Sequence, residues 1–298
     1  MVDSHCLIRR DKQVNTTNAR QNTTRSLEGI GALLAGNVNV PNNISSLSAD
    51  YQRARPFFHL VLDGLFAEKM LNPLLPEVQA MNRSQWLDIE QEGLEKVSRM
   101  KSGVELGSGG SCLANVVHSA AFLYLLSELT GIWQWISDLF MQGGGHAVMD
   151  RGDYFNIHSE GSVAYETGLT HCLTMIVFPN KWWQSAYGEQ LELWNHDEIT
   201  RVVAIEPLFN RTIIFEVANP NYRGVPKPLS CPADRIRQSF QLYYHRVGID
   251  GSYSLPPHTF MFAPSFYKKK KITPRSLALE ITPPLLLKAV RRLIRLTR

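Results

Sequence analysis

From Pro56 to Gly248 the chain alternates between short apolar runs and turn-forming residues, and the period of the apolar positions changes part-way. "PFFHLVLDGLF", beginning at Pro56, reads as a compact strand. "AEKMLNPLLPEV" follows as a helix cut by its prolines, because the ring removes a backbone donor and clashes with the preceding turn. Ser84 to Lys101 and Ala114 to Phe140 carry the spacing of helices. Gly143, Gly144 and Gly145 break that region. Beyond them "DYFNIHSE", "HCLTMIVFPN", "QLELWN", "VVAIEPLFN", "RTIIFEVAN" and "SFQLYYHRVG" are short and rich in β-branched or aromatic residues. Pro179-Asn180, Tyr187-Gly188, Asn219-Pro220 and Gly248 separate them as turns. Helices first and then many short strands predict an α+β protein with a barrel or jelly-roll core.

The expected organisation has four parts. Residues 1–50 are weakly ordered, being rich in Asn, Thr, Ser and Arg, with a short helix at Leu27 to Leu34. Residues 51–142 form a helical cap, 143–250 the β core, and 251–298 a basic extension. The apolar stretch Ala120 to Phe140 contains Glu128 and Asp138, so it reads as a buried helix pair and not as a membrane span.

Charge changes the picture only at the end of the chain. The formal net charge is +4 over 298 residues, which gives no expectation of nucleic-acid binding. From Lys268 to Arg298, however, ten basic residues stand against Glu280 alone. Pro283-Pro284 can open a helix there, with Leu286, Ala289, Val290 and Leu293 near one face. Two readings stay open: a helix packed on the body or solvated, and a basic amphipathic helix contacting an anionic membrane surface or a protein. The cysteines, Cys6, Cys112, Cys172 and Cys231, are scattered. Their spacing outlines neither a disulfide framework nor a zinc site and suits a reducing compartment. Met1 to Lys12 lacks the apolar run of a secretory signal, so a cytoplasmic location is expected.

Two stretches carry His-x-Glu: His158-Ser159-Glu160 and His196-Asp197-Glu198. On a strand, residues i and i+2 point to the same side, so such a pair can reach one metal ion. Chance alone supplies about one match in a chain of this composition, so context decides. His158 ends the alternating run Tyr154 to Glu160. His196 sits in a polar turn and is read as a surface residue.

The wider context resembles a known family. "GGGHAVMDRGDYFNIHSEG", "YGEQLELWN", "PLFNRTIIFE" and "NYRGVPKPLSCPADRIRQSFQLYY" occur in the order seen in prolyl 4-hydroxylase-like Fe(II)/2-oxoglutarate dioxygenases. The resemblance covers roughly Ala54 to Gly248. It implies a double-stranded β-helix (jelly-roll, cupin-like) core with an N-terminal helical cap. It also implies Fe(II) and 2-oxoglutarate as cofactors, and oxidation of a C–H bond in a small-molecule or peptidyl substrate. His158 matches the first iron imidazole and Glu160 the carboxylate ligand. Arg237 and Ser239 match the clamp on the 2-oxoglutarate carboxylate, a task that suits the planar guanidinium.

The second iron histidine of the family falls at Arg223. A guanidinium stays protonated and offers only donors, so it cannot ligate a metal. The reading therefore forks. One branch is an active dioxygenase in which His158 and Glu160 find a third ligand. The other is a degenerate member, its iron site closed by a Glu160–Arg223 pair, acting as a binding or partner subunit in a homo- or hetero-dimer. His146 and His171 are candidate replacement ligands. Glu189 and Thr174 are further departures from the family pattern.

Overall fold

The computed structural model describes residues 40–138, 141–164, 167–188, 190–196, 200–218, 221–247 and 260–263. The helix expected at Leu27 to Leu34, Glu189, and the basic tail from Lys268 lie outside them.

Helix α1 (Val40–Arg53) opens the described chain and runs across the expected boundary at residue 50. Ile44, Leu47 and Tyr51 recur at helical spacing and pack on the core, so this segment is held by burial despite its polar composition. Strand β1 (His59–Asp63) and the short helices α2 (Glu68–Leu71) and α3 (Leu74–Ala80) fall where the sequence suggests.

The segment Ser84 to Lys101 is not helical. It is a hairpin of β2 (Trp86–Gln91) and β3 (Glu95–Met100), in register from Trp86 opposite Met100 to Gln91 opposite Glu95. The apolar positions mimic a helical spacing, but Gly93 turns the chain with φ 76°, a conformation glycine adopts without strain. The expected long helix is also divided. Helices α4 (Ser108–Val117) and α5 (Ala120–Thr130) are separated by Ser119, whose hydroxyl caps the second by accepting from the Phe122 N–H. Gly131 in the left-handed conformation ends α5 well short of Phe140. Among the described residues no single helix is long and apolar enough to cross a membrane.

The remaining strands are β4 (Ile136–Ser137), β5 (Gly145–Met149), β6 (Tyr154–Ser159), β7 (Thr170–Phe178), β8 (Leu191–Trp194), β9 (Arg201–Ile205), β10 (Arg211–Glu216), β11 (Tyr222–Val225), β12 (Arg237–Arg246) and β13 (Met261–Phe262). They join in one curled antiparallel sheet in the order β1-β10-β7-β12-β5-β3-β6-β11-β8-β9. This is a double-stranded β-helix. The helices form a small layer on one face only.

Strand alternation divides the core in two. On β12, Phe240, Leu242 and Tyr244 join Leu173, Met175 and Val177 of β7 beneath the helices. The intervening positions of β7 and β10, Ile176, Phe178, Ile213 and Phe215, fill the inside of the barrel with Val97, Met149, Phe155 and Leu193. Period-two alternation thus sends every second residue of a strand to the barrel interior, where the site lies.

Candidate functional site

Strands β6 and β11 bring the first two candidate residues face to face. His158 and Arg223 are direct cross-strand partners. The strands approach this closely because residue 224 is glycine: a Cβ there would lie 2.7 Å from the Phe155 carbonyl oxygen and 2.8 Å from that of Asn156. His158 is fully buried. Its Nδ1 donates to the Asn156 carbonyl at 2.8 Å, and its ring stacks on Phe155 with centroids 3.9 Å apart. Its Nε2 meets no hydrogen-bond partner among the described residues. Burial, and next the Arg223 cation, hold the imidazole well below its ordinary pKa, so it is neutral.

Arg223 is buried as well. Its Nη2 pairs with Glu160 Oε1, and its guanidinium carbon lies 4.8 Å from the centroid of the Phe215 ring. Burial lowers its pKa to about 10, with the Arg99 and Arg237 cations acting in the same direction, so it stays protonated at neutral pH. Glu160 therefore faces a guanidinium.

The clamp residues lie on β12. Arg237, Ser239 and Gln241 point into the barrel, while Phe240 and Leu242 point to the helices. Arg237 donates weakly from Nη1 to the Met149 sulfur at 3.7 Å and stacks over Phe178 at 5.1 Å. These three residues, with Arg99 of β3 and Arg223, line a cavity of about 30 Å³. Phe155 and Phe178 contribute to its apolar walls, and no acidic residue lines it among the described residues. The convergence of Arg99 on this cavity was not legible in the sequence, because the hairpin carrying it reads as a helix there.

The candidate replacement ligands are committed elsewhere. His146 Nε2 donates to Glu77 Oε1 at 3.0 Å, and its Nδ1 accepts from Gln238 Nε2 at 3.1 Å. Glu77 also accepts from the backbone N–H of Gly107 at 2.8 Å and of Gly110 at 2.9 Å, and so caps the N-terminus of α4. Cβ atoms at residues 107, 109 and 110 would approach the Glu77 side chain within 2.6–2.9 Å. The run Gly107-Ser108-Gly109-Gly110 is the sequence signal for this close approach. His171 bonds the Gly161 carbonyl and the Thr174 hydroxyl, and burial, then the neighbouring His245, lower its pKa to about 3. Thr174 thereby has a structural partner. His196 is exposed, as expected, while Asp197 and Glu198 lie outside the described residues. Cys231 is buried and packs in the barrel.

Residues 144–245 match the sequence model of the 2OG-Fe(II) oxygenase superfamily. Similar solved structures include a prolyl-4-hydroxylase from Pseudomonas putida, 14% identical with a TM-score of 0.47, over 67% of this chain and 98% of that one. A prolyl hydroxylase from Trichoplax adhaerens, in complex with a hypoxia inducible factor oxygen degradation domain peptide fragment, is 16% identical with a TM-score of 0.47, over 79% of this chain and 94% of that one. HygX from Streptomyces hygroscopicus, with nickel, 2-oxoglutarate and hygromycin B bound, is 11% identical with a TM-score of 0.43, over 63% and 82%. No curated protein matches the chain.

The superfamily's name implies iron, and the residues present do not fit it. A metal needs lone pairs, and the 2-His-1-carboxylate arrangement needs three such ligands on one face. Here His158 offers one free nitrogen, Glu160 is paired with a cation, and the residue opposite His158 brings a positive charge. Among the described residues no group of three His, Cys, Asp or Glu side chains could hold a metal ion.

Proposed function

We propose that this oxygenase-fold domain is a binding protein or partner subunit that does not use iron. The observation that carries this reading is the Arg223–Glu160 pair beside the unpartnered Nε2 of His158. A guanidinium within a few ångströms of a metal position disfavours a divalent cation by Coulomb repulsion, and it occupies the carboxylate that would offset that charge. A cytoplasmic location goes with this proposal, on the ground of the scattered cysteines. The basic segment 268–298 is its proposed contact for an anionic surface or a protein.

A second reading is favoured by the superfamily match and by the Arg237-x-Ser239 pair. It is an Fe(II)/2-oxoglutarate dioxygenase that oxidises, by hydroxylation, a small-molecule or peptidyl substrate. His158 and Glu160 would hold the iron, and Arg237 and Ser239 would orient the 2-oxoglutarate carboxylate. The iron would supply the oxidation chemistry, and the barrel interior would exclude water. That reading needs Arg223 to swing away from Glu160.

The deciding experiment is anaerobic reconstitution with Fe(II) and 2-oxoglutarate, followed by measurement of iron per chain and of succinate released after air is admitted. The binding-protein reading expects iron no higher than in His158→Ala and no succinate above that control. Stoichiometric iron that disappears in His158→Ala, with succinate release, would replace it by the dioxygenase.

A further inference from the structure

The two edges of strand β6 are covered differently. β11 runs along one edge, with Arg223 opposite His158 and Val225 opposite Phe155. The other edge begins under β3, with Lys96 opposite Tyr154 and Glu95 opposite Phe155. The hairpin turns away at Gly93, so β3 cannot follow β6 as far as His158. There β13 takes over, with Phe262 opposite His158 and Met261 opposite Ser159, and the Ala263 N–H donates to the Ile157 carbonyl at 2.8 Å. An uncovered strand edge presents unpaired N–H and C=O groups and invites another strand.

Alternate residues of this segment point opposite ways. Met261 is 39% exposed, whereas Phe262 is buried and Phe260 packs inward beside it. The Phe260 ring lies 4.6 Å from the His158 imidazole and 5.7 Å from the Phe155 ring, between centroids. The Phe262 ring lies 6.1 Å and 6.0 Å from the same two. The two phenyl rings of the segment are themselves 5.1 Å apart, so all four rings are in mutual contact. Part of the burial of His158 thus comes from a segment late in the chain. Its hold is local: β12 pairs with β4, β5 and β7, but among the described residues β13 pairs with β6 alone. Short edge segments with few backbone bonds are among the cheapest parts of a fold to open.

We propose that segment 260–263 is a displaceable strap, which adds to β6 as an intramolecular ligand, closes the barrel over His158 with Phe260 and Phe262, and uncovers the histidine when it peels away. This is strand addition at a sheet edge: backbone bonds hold the segment, and alternate side chains fill the groove. The strap acts in the same way whether or not the site uses iron. Whatever reaches His158 across this edge must first displace it.

The test is modification of the full-length chain by diethyl pyrocarbonate, read histidine by histidine by peptide mass mapping. The reagent needs a ring nitrogen with a lone pair, and His158 Nε2 keeps one because Nδ1 donates to Asn156. The exposed His196 reports the accessible rate, and His146, buried on the helix side, reports opening of the whole fold. In the wild type His158 should react far more slowly than His196. Phe260→Ser should raise the His158 rate about tenfold or more, because the closed strap loses the burial of a phenyl ring, while His146 stays unchanged. Phe260→Leu should give a smaller rise, and it keeps the test valid if the serine variant does not fold. Met261→Ser, on the exposed face, should leave the rate as it is. A synthetic peptide of residues 259–264, added to the Phe260→Ser chain, should slow His158 again. The proposal would be overturned by a wild-type His158 as reactive as His196, by a Phe260→Ser rise matched at His146, by no rise in either Phe260 variant, or by a peptide that gives no protection. None of these readouts involves iron, so their failure leaves the iron-free reading untouched.

Discussion

Neighbouring residues on β12, Gln238 and Ser239, face two buried polar clusters built in opposite ways. On the helix side, Gln238, His146 and Glu77 form a chain in which the anion is fully used: Glu77 accepts from the imidazole and from two backbone N–H groups at the start of α4. On the barrel side, three arginines share a cavity with no acidic lining residue among those described. Buried polar groups are costly unless paired, and in the first cluster the carboxylate and both imidazole nitrogens are paired, while the Gln238 Oε1 meets no partner among the described residues. In the second, Arg223 is paired with Glu160 and each guanidinium lies over a phenyl ring.

The sharpest way to break this contrast is to remove the central anion of the satisfied cluster. Glu77→Ala leaves the His146 imidazole and the Gly107 and Gly110 N–H groups without their acceptor. We expect a loss of about 3 kcal/mol or more in urea unfolding. A loss below about 1 kcal/mol would mean that the cluster contributes little.

Next in size is the strand approach that sets His158 against Arg223. Gly224→Ala forces a Cβ against the carbonyl oxygens of Phe155 and Asn156, which are backbone and cannot rotate away. The expected cost is about 2 kcal/mol, read as a lowered urea midpoint.

A smaller net effect is expected from pH. Burial lowers the His171 pKa to about 3 and that of His245 to about 4. Both are neutral in the fold, whereas in the unfolded chain they bind protons below about 6.5. The unfolded state therefore binds more protons as pH falls below about 6.5, and each histidine withdraws up to about 2 kcal/mol by pH 5. Glu216 acts in the opposite sense. Burial raises its pKa to about 7, so its carboxyl protonates in the fold first and stability rises as pH falls from 7 towards 4.5. Urea unfolding at pH 7 and pH 5 should show a net loss of about 1–2 kcal/mol at the lower pH from these three groups, and His158, which burial also holds neutral, adds to it. In Glu216→Gln the loss should grow.

The smallest effect has the opposite sign. Arg99→Met removes one of the three cations that line the cavity and should raise the stability of the protein by about 0.5–1 kcal/mol. A destabilisation of 2 kcal/mol would show that Arg99 is as fully satisfied as Glu77.

The legible part of the fold is the part where short apolar runs are bounded by turn residues. Strand β6 stood out by its alternation and β7, β10 and β12 by their short runs of β-branched and aromatic residues, which are buried on both faces, and the resemblance of Asn221-Tyr222-Arg223-Gly224 to the family motif set Arg223 at the position of the second iron histidine. The hairpin β2–β3 did not stand out, because Trp86, Ile89, Val97 and Met100 are spaced as a helix would space them and only Gly93 marks the turn. With that hairpin misread, Arg99 had no place in the site. Glu77 was equally hidden: its partners are 30, 33 and 69 residues away, and no local pattern encodes such contacts. The glycines at 107, 109 and 110 were the visible trace of it.

The most direct measurement is bound iron per chain in the wild type and in Arg223→His, reconstituted side by side under anaerobic conditions with 2-oxoglutarate. The expected result is background iron in the wild type and a clear gain in Arg223→His, because the substitution restores a lone pair opposite His158 and frees Glu160. Stoichiometric iron in the wild type, with no further gain in Arg223→His, would contradict the claim that a guanidinium has taken the metal's place.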